Sequence, residues 1–139
     1  MPDPWQFMMR ELPDVVLVRA RIAEPGRYYH RQRAIVLRRG LLLEEERRYL
    51  WHELVHALRG DEQCDAWANW KMELSVEREA ARRAMPVEVL EDAIAASVNW
   101  YDFVGRTKVP EEWVRFRIET AHPAEKGAVE AARRWQESA

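Results

Sequence analysis

The stretch "WHELVHALRG" sets two histidines, His52 and His56, four residues apart, with Glu53 between them. On a helix, residues i and i+4 share a face, so both rings can aim a nitrogen at a single cation. Glu53 is turned about 100° from His52, beside such an ion rather than on it. That is where a carboxylate serves as general base for a metal-bound water. The chemistry implied is metal-assisted hydrolysis, with zinc as the expected ion and Glu53 as the expected catalytic residue.

A catalytic zinc takes three protein ligands and keeps a fourth position open. His30 and His122 are the only other histidines, and neither belongs to a metal-spaced pair. The carboxylates best placed to complete the set are Glu73 and Glu77. They lie one turn apart on the next helical segment and share a face with Ala80 and Ala84, whose small side chains allow close helix approach. Spacing alone does not choose between them.

The elements that must carry these residues are marked by boundary signals. From Glu44 to Arg59 there is no Gly or Pro, acidic residues open the run, and Gly60 follows it; these delimit a helix with the pentad at its middle. "DAWANWKMELSVEREAARRAMP" runs without a breaker from Asp65 to Pro86 and reads as a second long helix. Further helices are expected over "PVEVLEDAIAAS", "PEEWVRFRIE" and "HPAEKGAVEAARRW", each led by a proline. Ahead of the pentad, "VVLVRARI" alternates apolar Val16, Val18, Ala20 and Ile22 with Arg19 and Arg21, a strand expected to bury its valines. Pro25 and Gly26 signal a turn, and "AIVL" forms a second strand closed by Gly40. Strands followed by helices predict an α+β fold. The expected order is a small antiparallel sheet at about 15–40, the helices of the site at about 44–86 and C-terminal helices at about 87–137.

At 139 residues, with 47% hydrophobic and 33% charged residues, the chain suits one folded domain spanning 1–139. Its opening residues lack a basic region followed by an apolar run, and no stretch approaches the ~18 apolar residues of a membrane span. Cys64 is the only cysteine, which excludes an internal disulfide and fits a reducing compartment. The expected location is the cytoplasm.

Basic charge gathers at Arg19, Arg21, Arg27, Arg31, Arg33, Arg38 and Arg39, either a solvated strand face or a patch for an acidic partner. "DFVGRTKVPEEWVRFRIE" has a helix-turn-helix look. However, the segment from Val87 onward carries 7 basic and 10 acidic residues, an unfavourable balance for duplex DNA, so no direct nucleic-acid contact is expected. Trp67 and Trp70 are expected in the core or on the cleft wall. Tyr28, Tyr29 and His30 are candidate donors to an oxyanion.

The residues "HELVH" and "ELSVEREAARRAMP" together resemble the ImmA/IrrE family of zinc metallopeptidases. In that family an H-E-L-x-H helix is followed by one of the type E-x-x-A-N-x-x-A-A-x-x-L-M-P, whose first glutamate completes the zinc site. A gapless alignment on Met85 and Pro86 puts Ala80 and Ala81 on the paired alanines and Glu73 on the ligand. A rival alignment starting at Glu77 requires a one-turn deletion. Two departures stand out: Glu77 falls where Asn is usual, and Trp51 precedes His52 where a small residue is usual. The resemblance implies an intracellular endopeptidase acting on a regulatory protein, often a helix-turn-helix repressor of a phage, mobile element or stress locus. The alternative is a non-catalytic regulator that keeps the fold and binds a partner; Trp51 beside the site and the basic strands point that way.

Overall fold

The computed structural model describes residues 1–62 and 66–139, with the side chains of 66–68 left aside. Helix α1 (Pro4–Glu11) is capped by Asp3, whose carboxylate accepts from the N–H groups of Trp5 and Gln6, with Pro4 at the first helical position. Three strands follow, β1 (Val16–Ala20), β2 (Gly26–Tyr29) and β3 (Ala34–Arg38). The remainder is helical: α2 (Leu43–Arg59), α3 (Ala66–Ala84), α4 (Val87–Ala96), α5 (Trp100–Thr107), α6 (Glu111–Glu119) and, after a 3-10 turn at Pro123–Glu125, α7 (Lys126–Ser138). The architecture is α+β, as the order of patterns predicts.

The sheet departs from the sequence reading in two respects. Its order is β1-β3-β2, and β1 runs parallel to β3 while only β2 is antiparallel to it. The sheet is therefore mixed rather than antiparallel. Gly26 begins a strand of its own instead of turning the chain between two neighbours. β2 then forms the hairpin with β3, and β1 pairs with the other edge of β3.

The second departure is the phase of β1. Ile35 and Leu37 are fully buried, and their register partners Leu17, Arg19, Gly26 and Tyr28 share that inward face. Val16 and Val18 consequently point outward, 57% and 43% exposed. An arginine can take an inward edge position because its guanidinium reaches α2, where Nε and Nη2 donate to the Glu46 carboxylate at 3.0 and 2.7 Å.

Helix α2 is buried along most of its second half, from Leu50 and Trp51 to Leu54, Val55 and Ala57, because the sheet, α1 and α3 all pack on it. Its first turn is held by Glu45, whose Oε1 accepts the Leu42 N–H at 3.1 Å. Gly60 ends it at φ +68°, a left-handed conformation that glycine adopts without steric cost. α3 packs on α2 and on α6, and its Val76, Ala80, Ala81 and Ala84 are all buried. Trp51 packs on Phe7 of α1, ring centroids 5.1 Å apart.

The end of α3 is tied to the C-terminal helices by Arg117, 1% exposed. Its Nε donates to the Met85 carbonyl at 2.9 Å, and Nη2 and Nη1 donate to the Glu125 carboxylate at 2.5 and 3.3 Å. α6 also buries Trp113, Val114 and Ile118, so its apolar face is core. Trp70 is 61% exposed, contrary to the expected core position. Trp67, by its side chain, and Cys64 lie outside the described residues. No helix among the described residues is long and apolar enough to cross a membrane.

Burial alone would push the Glu125 carboxyl up, but the Arg117 guanidinium and the His122 N–H outweigh it and hold its pKa below the usual 4.5. A depressed folded-state pKa contributes stability that is present above pH 4.5 and lost as pH falls through the folded value. Glu125→Gln is expected to cost about 3 kcal/mol at pH 7, the lower end for breaking a buried pair. The gap between variant and parent in urea unfolding should close as the solution is acidified below pH 4; a gap that persists there would contradict the ion pair's role.

Candidate functional site

α2 and α3 form one wall of an open cleft and β2 the other. The cleft measures about 510 Å³, and its lining includes Gly26, Arg27, Tyr28, Tyr49, His52, Glu53, His56, Asp61, Asn69, Met72, Glu73 and Glu77. The helical spacing of His52 and His56 sets their rings side by side, centroids 5.0 Å apart.

Each of the four ring nitrogens faces a carboxylate, and Glu73 serves two of them. His52 Nε2 lies 2.6 Å from Glu73 Oε2, and His56 Nε2 lies 3.0 Å from Glu73 Oε1. A single carboxylate from α3 thus meets both Nε2 atoms. On the other sides of the rings, His52 Nδ1 lies 2.5 Å from Glu77 Oε2 and His56 Nδ1 3.0 Å from Asp61 Oδ2. Glu77 Oε1 faces Arg48, with Nε at 3.5 Å.

The electrostatics follow from this crowding. Burial disfavours the imidazolium of His52, yet hydrogen bonds to Glu73 and Glu77 overcome it and raise its pKa to about 10. His56 is raised too, again against burial, chiefly by Glu73. Hydrogen bonds from both rings hold Glu73 far below the usual carboxylate range. For Glu77 burial opposes ionisation, but His52 and Arg48 prevail and its pKa is lowered. Ionised carboxylates can only accept, so the ring nitrogens donate.

Glu53 differs from its neighbours. It is 5% exposed, and burial drives its carboxyl up to about 7 against the pull of the two imidazoles. One of its carboxylate oxygens lies within 4.8 Å of one ring nitrogen of each of His52 and His56, so the three residues form a group that could hold a metal ion. Unlike Glu73, however, Glu53 hydrogen-bonds neither ring. It packs instead under β2, where a Cβ built on Gly26 would stand 3.2 Å from Glu53 Cγ and 3.1 Å from Leu37 Cδ2. Glu73, which meets both Nε2 atoms, stands beside the group of His52, Glu53 and His56. Two imidazoles and one carboxylate suit zinc.

Of the candidate oxyanion donors, Tyr28 lines the cleft, but its hydroxyl is within hydrogen-bond distance of His30 Nδ1 at 2.9 Å and accepts from Arg33 Nη1 at 2.7 Å. Tyr29 and His30 are absent from the cleft lining, and Tyr29 stacks under Arg27. Trp51 and Trp70 do not line the cleft either. The sequence reading missed Gly26, Arg48, Asp61 and Asn69. Asp61 was within reach of inference, because a left-handed Gly60 folds the following residue back over the last turn of the helix.

The profile of one protein family, Peptidase_M78, described as the IrrE N-terminal-like domain, matches residues 11–119, from the end of α1 to the end of α6. No curated protein and no solved structure matches the chain.

Gly26→Ala tests the contact between β2 and Glu53. A methyl group there must displace Leu37 or Glu53 and is expected to destabilise the fold by about 1 to 3 kcal/mol. Thermal denaturation reads this directly, and an unchanged midpoint would mean that the strand does not press on the carboxylate.

Proposed function

Since the chain belongs to the Peptidase_M78 family of IrrE N-terminal-like domains, we propose that it is a zinc-dependent endopeptidase, its ion held by His52, His56 and Glu73. The observation that carries this reading is the meeting of both Nε2 atoms at one carboxylate, 2.6 and 3.0 Å away, with a buried glutamate alongside. Bound zinc supplies a water of lowered pKa and polarises the scissile carbonyl.

The residues of the chain do the rest. Glu53, held near neutrality by burial, takes the proton of the attacking water and returns it to the leaving amine. Among the described residues β2 is an edge strand of the sheet and borders the cleft, so an extended substrate can lie along it. Asn69 and Tyr49 are polar groups on the cleft wall.

The substrate we propose is a regulatory protein, such as a transcriptional repressor, cleaved in the cytoplasm; the lone Cys64 suits that compartment. Regulation would then pass through the partner rather than through DNA contact by this chain. The buried position of Trp51 against α1 removes one feature that favoured a non-catalytic role, since this side chain leaves the cleft width alone.

Purified protein is expected to carry one zinc, and Glu73→Ala to carry none. Saturating zinc at about 100 times its dissociation constant should stabilise the parent by about 2.7 kcal/mol, an increment that chelation removes. Glu53→Gln is expected to keep zinc while cleaving a co-encoded repressor on the order of 10² times more slowly or worse. Cleavage at the parental rate by the Gln variant would exclude Glu53 as the base, and a zinc-loaded parent that leaves such repressors whole would favour the partner-binding alternative.

A further inference from the structure

We propose that Glu77 is a positioning residue of the metal centre, a buried carboxylate that grips His52 at Nδ1 and so aims Nε2 at the ion. This rests on the zinc-site reading above. It assigns a role to a side chain whose place on α3 would equally have suited a ligand.

The argument begins with the two nitrogens of one ring. In an imidazole, Nδ1 and Nε2 point in diverging directions, so a carboxylate bound to one cannot also reach an ion bound to the other. Glu77 Oε2 sits on Nδ1 at 2.5 Å, while Glu73 Oε2 sits on Nε2 at 2.6 Å. Glu73 also touches His56, and Glu77 does not. The point shared by the two histidines is therefore reached by Glu73 alone.

Glu77 is also held from behind. Its second oxygen faces Arg48 Nε at 3.5 Å, and the Arg48 guanidinium lies over the rings of Tyr49 and Trp113, 5.2 and 5.9 Å from their centroids. Trp113 is fully buried on α6. A carboxylate backed by a cation that is itself stacked between aromatic rings keeps its place whether or not an ion is bound. α6 thereby acts on the site through Trp113, which adjoins both Arg48 and Glu77.

A negative acceptor on Nδ1 has two consequences. It keeps the proton on Nδ1, which leaves the Nε2 lone pair for metal, and it makes the ring a stronger donor. Asp61 does the same for His56 at 3.0 Å. Removal of such a partner lowers metal affinity about 10- to 100-fold.

The test is zinc competition against a chromophoric chelator, using the full chain and its Glu77→Gln and Glu73→Gln variants. Glu77→Gln is expected to bind one zinc about 10- to 100-fold more weakly than the parent while still folding, as circular dichroism of the zinc-free protein reads. Glu73→Gln should lose stoichiometric binding. Parental affinity in Glu77→Gln would overturn the proposal, and so would a loss as complete as that of Glu73→Gln, which would make Glu77 a ligand. A parent that binds no zinc would defeat the zinc-site reading itself. The ring nitrogens of His52, followed by ¹⁵N NMR in zinc-free protein, then decide the contact: Glu77→Gln should move Nδ1 and leave Nε2 in place. An unmoved Nδ1 would refute the grip.

Discussion

The cleft depends on how closely α3 approaches α2, because the Glu73 carboxylate must span two imidazoles that belong to the other helix. That approach is set by small side chains. Ala80, Ala81 and Ala84 are buried on α3, which packs against α2, and larger residues on the side toward α2 would hold the helices apart by more than the 2.6 and 3.0 Å contacts permit. The charged site thus stands on an apolar seam. The cost of burying His52 and His56 is offset because each ring meets a carboxylate at both of its nitrogens.

The other supports fix direction rather than distance. β2 presses on Glu53 through a glycine, the one residue type whose backbone can come so near a carboxylate without clash. Arg117 anchors the Met85 carbonyl at the end of α3, so the register of α3 against α2 is tied to α6 and to Glu125 beyond it. The family match ends at residue 119, between Arg117 and Glu125.

Much of the site was legible in the sequence because helical periodicity is local. The spacing of His52 and His56, the bounds at Gly60 and Pro86, and the glutamates at 73 and 77 are all visible without tertiary knowledge. Which carboxylate meets which ring nitrogen is not, since that depends on the rotation of α3 about its axis and on Arg48 and Trp113 packed behind it. The sheet was harder for a different reason. "GRYY" has no alternation of apolar and polar residues and becomes a strand only by pairing with β3. The valines of β1 misled because an arginine at an edge can take the inward place when a helix offers it a carboxylate. α1 carried a readable start in Asp3 and Pro4, and α5 lay hidden within a segment that resembled half of a helix-turn-helix.

The central claim is that one cation is held by two imidazoles of α2 and one carboxylate of α3. X-ray absorption at the zinc edge of the purified protein tests it most directly. Two imidazole nitrogens and light oxygen scatterers at about 2.0 to 2.2 Å, four-coordinate in total, are the predicted result. A sulfur shell near 2.3 Å, or a site with fewer than two imidazoles, would contradict it.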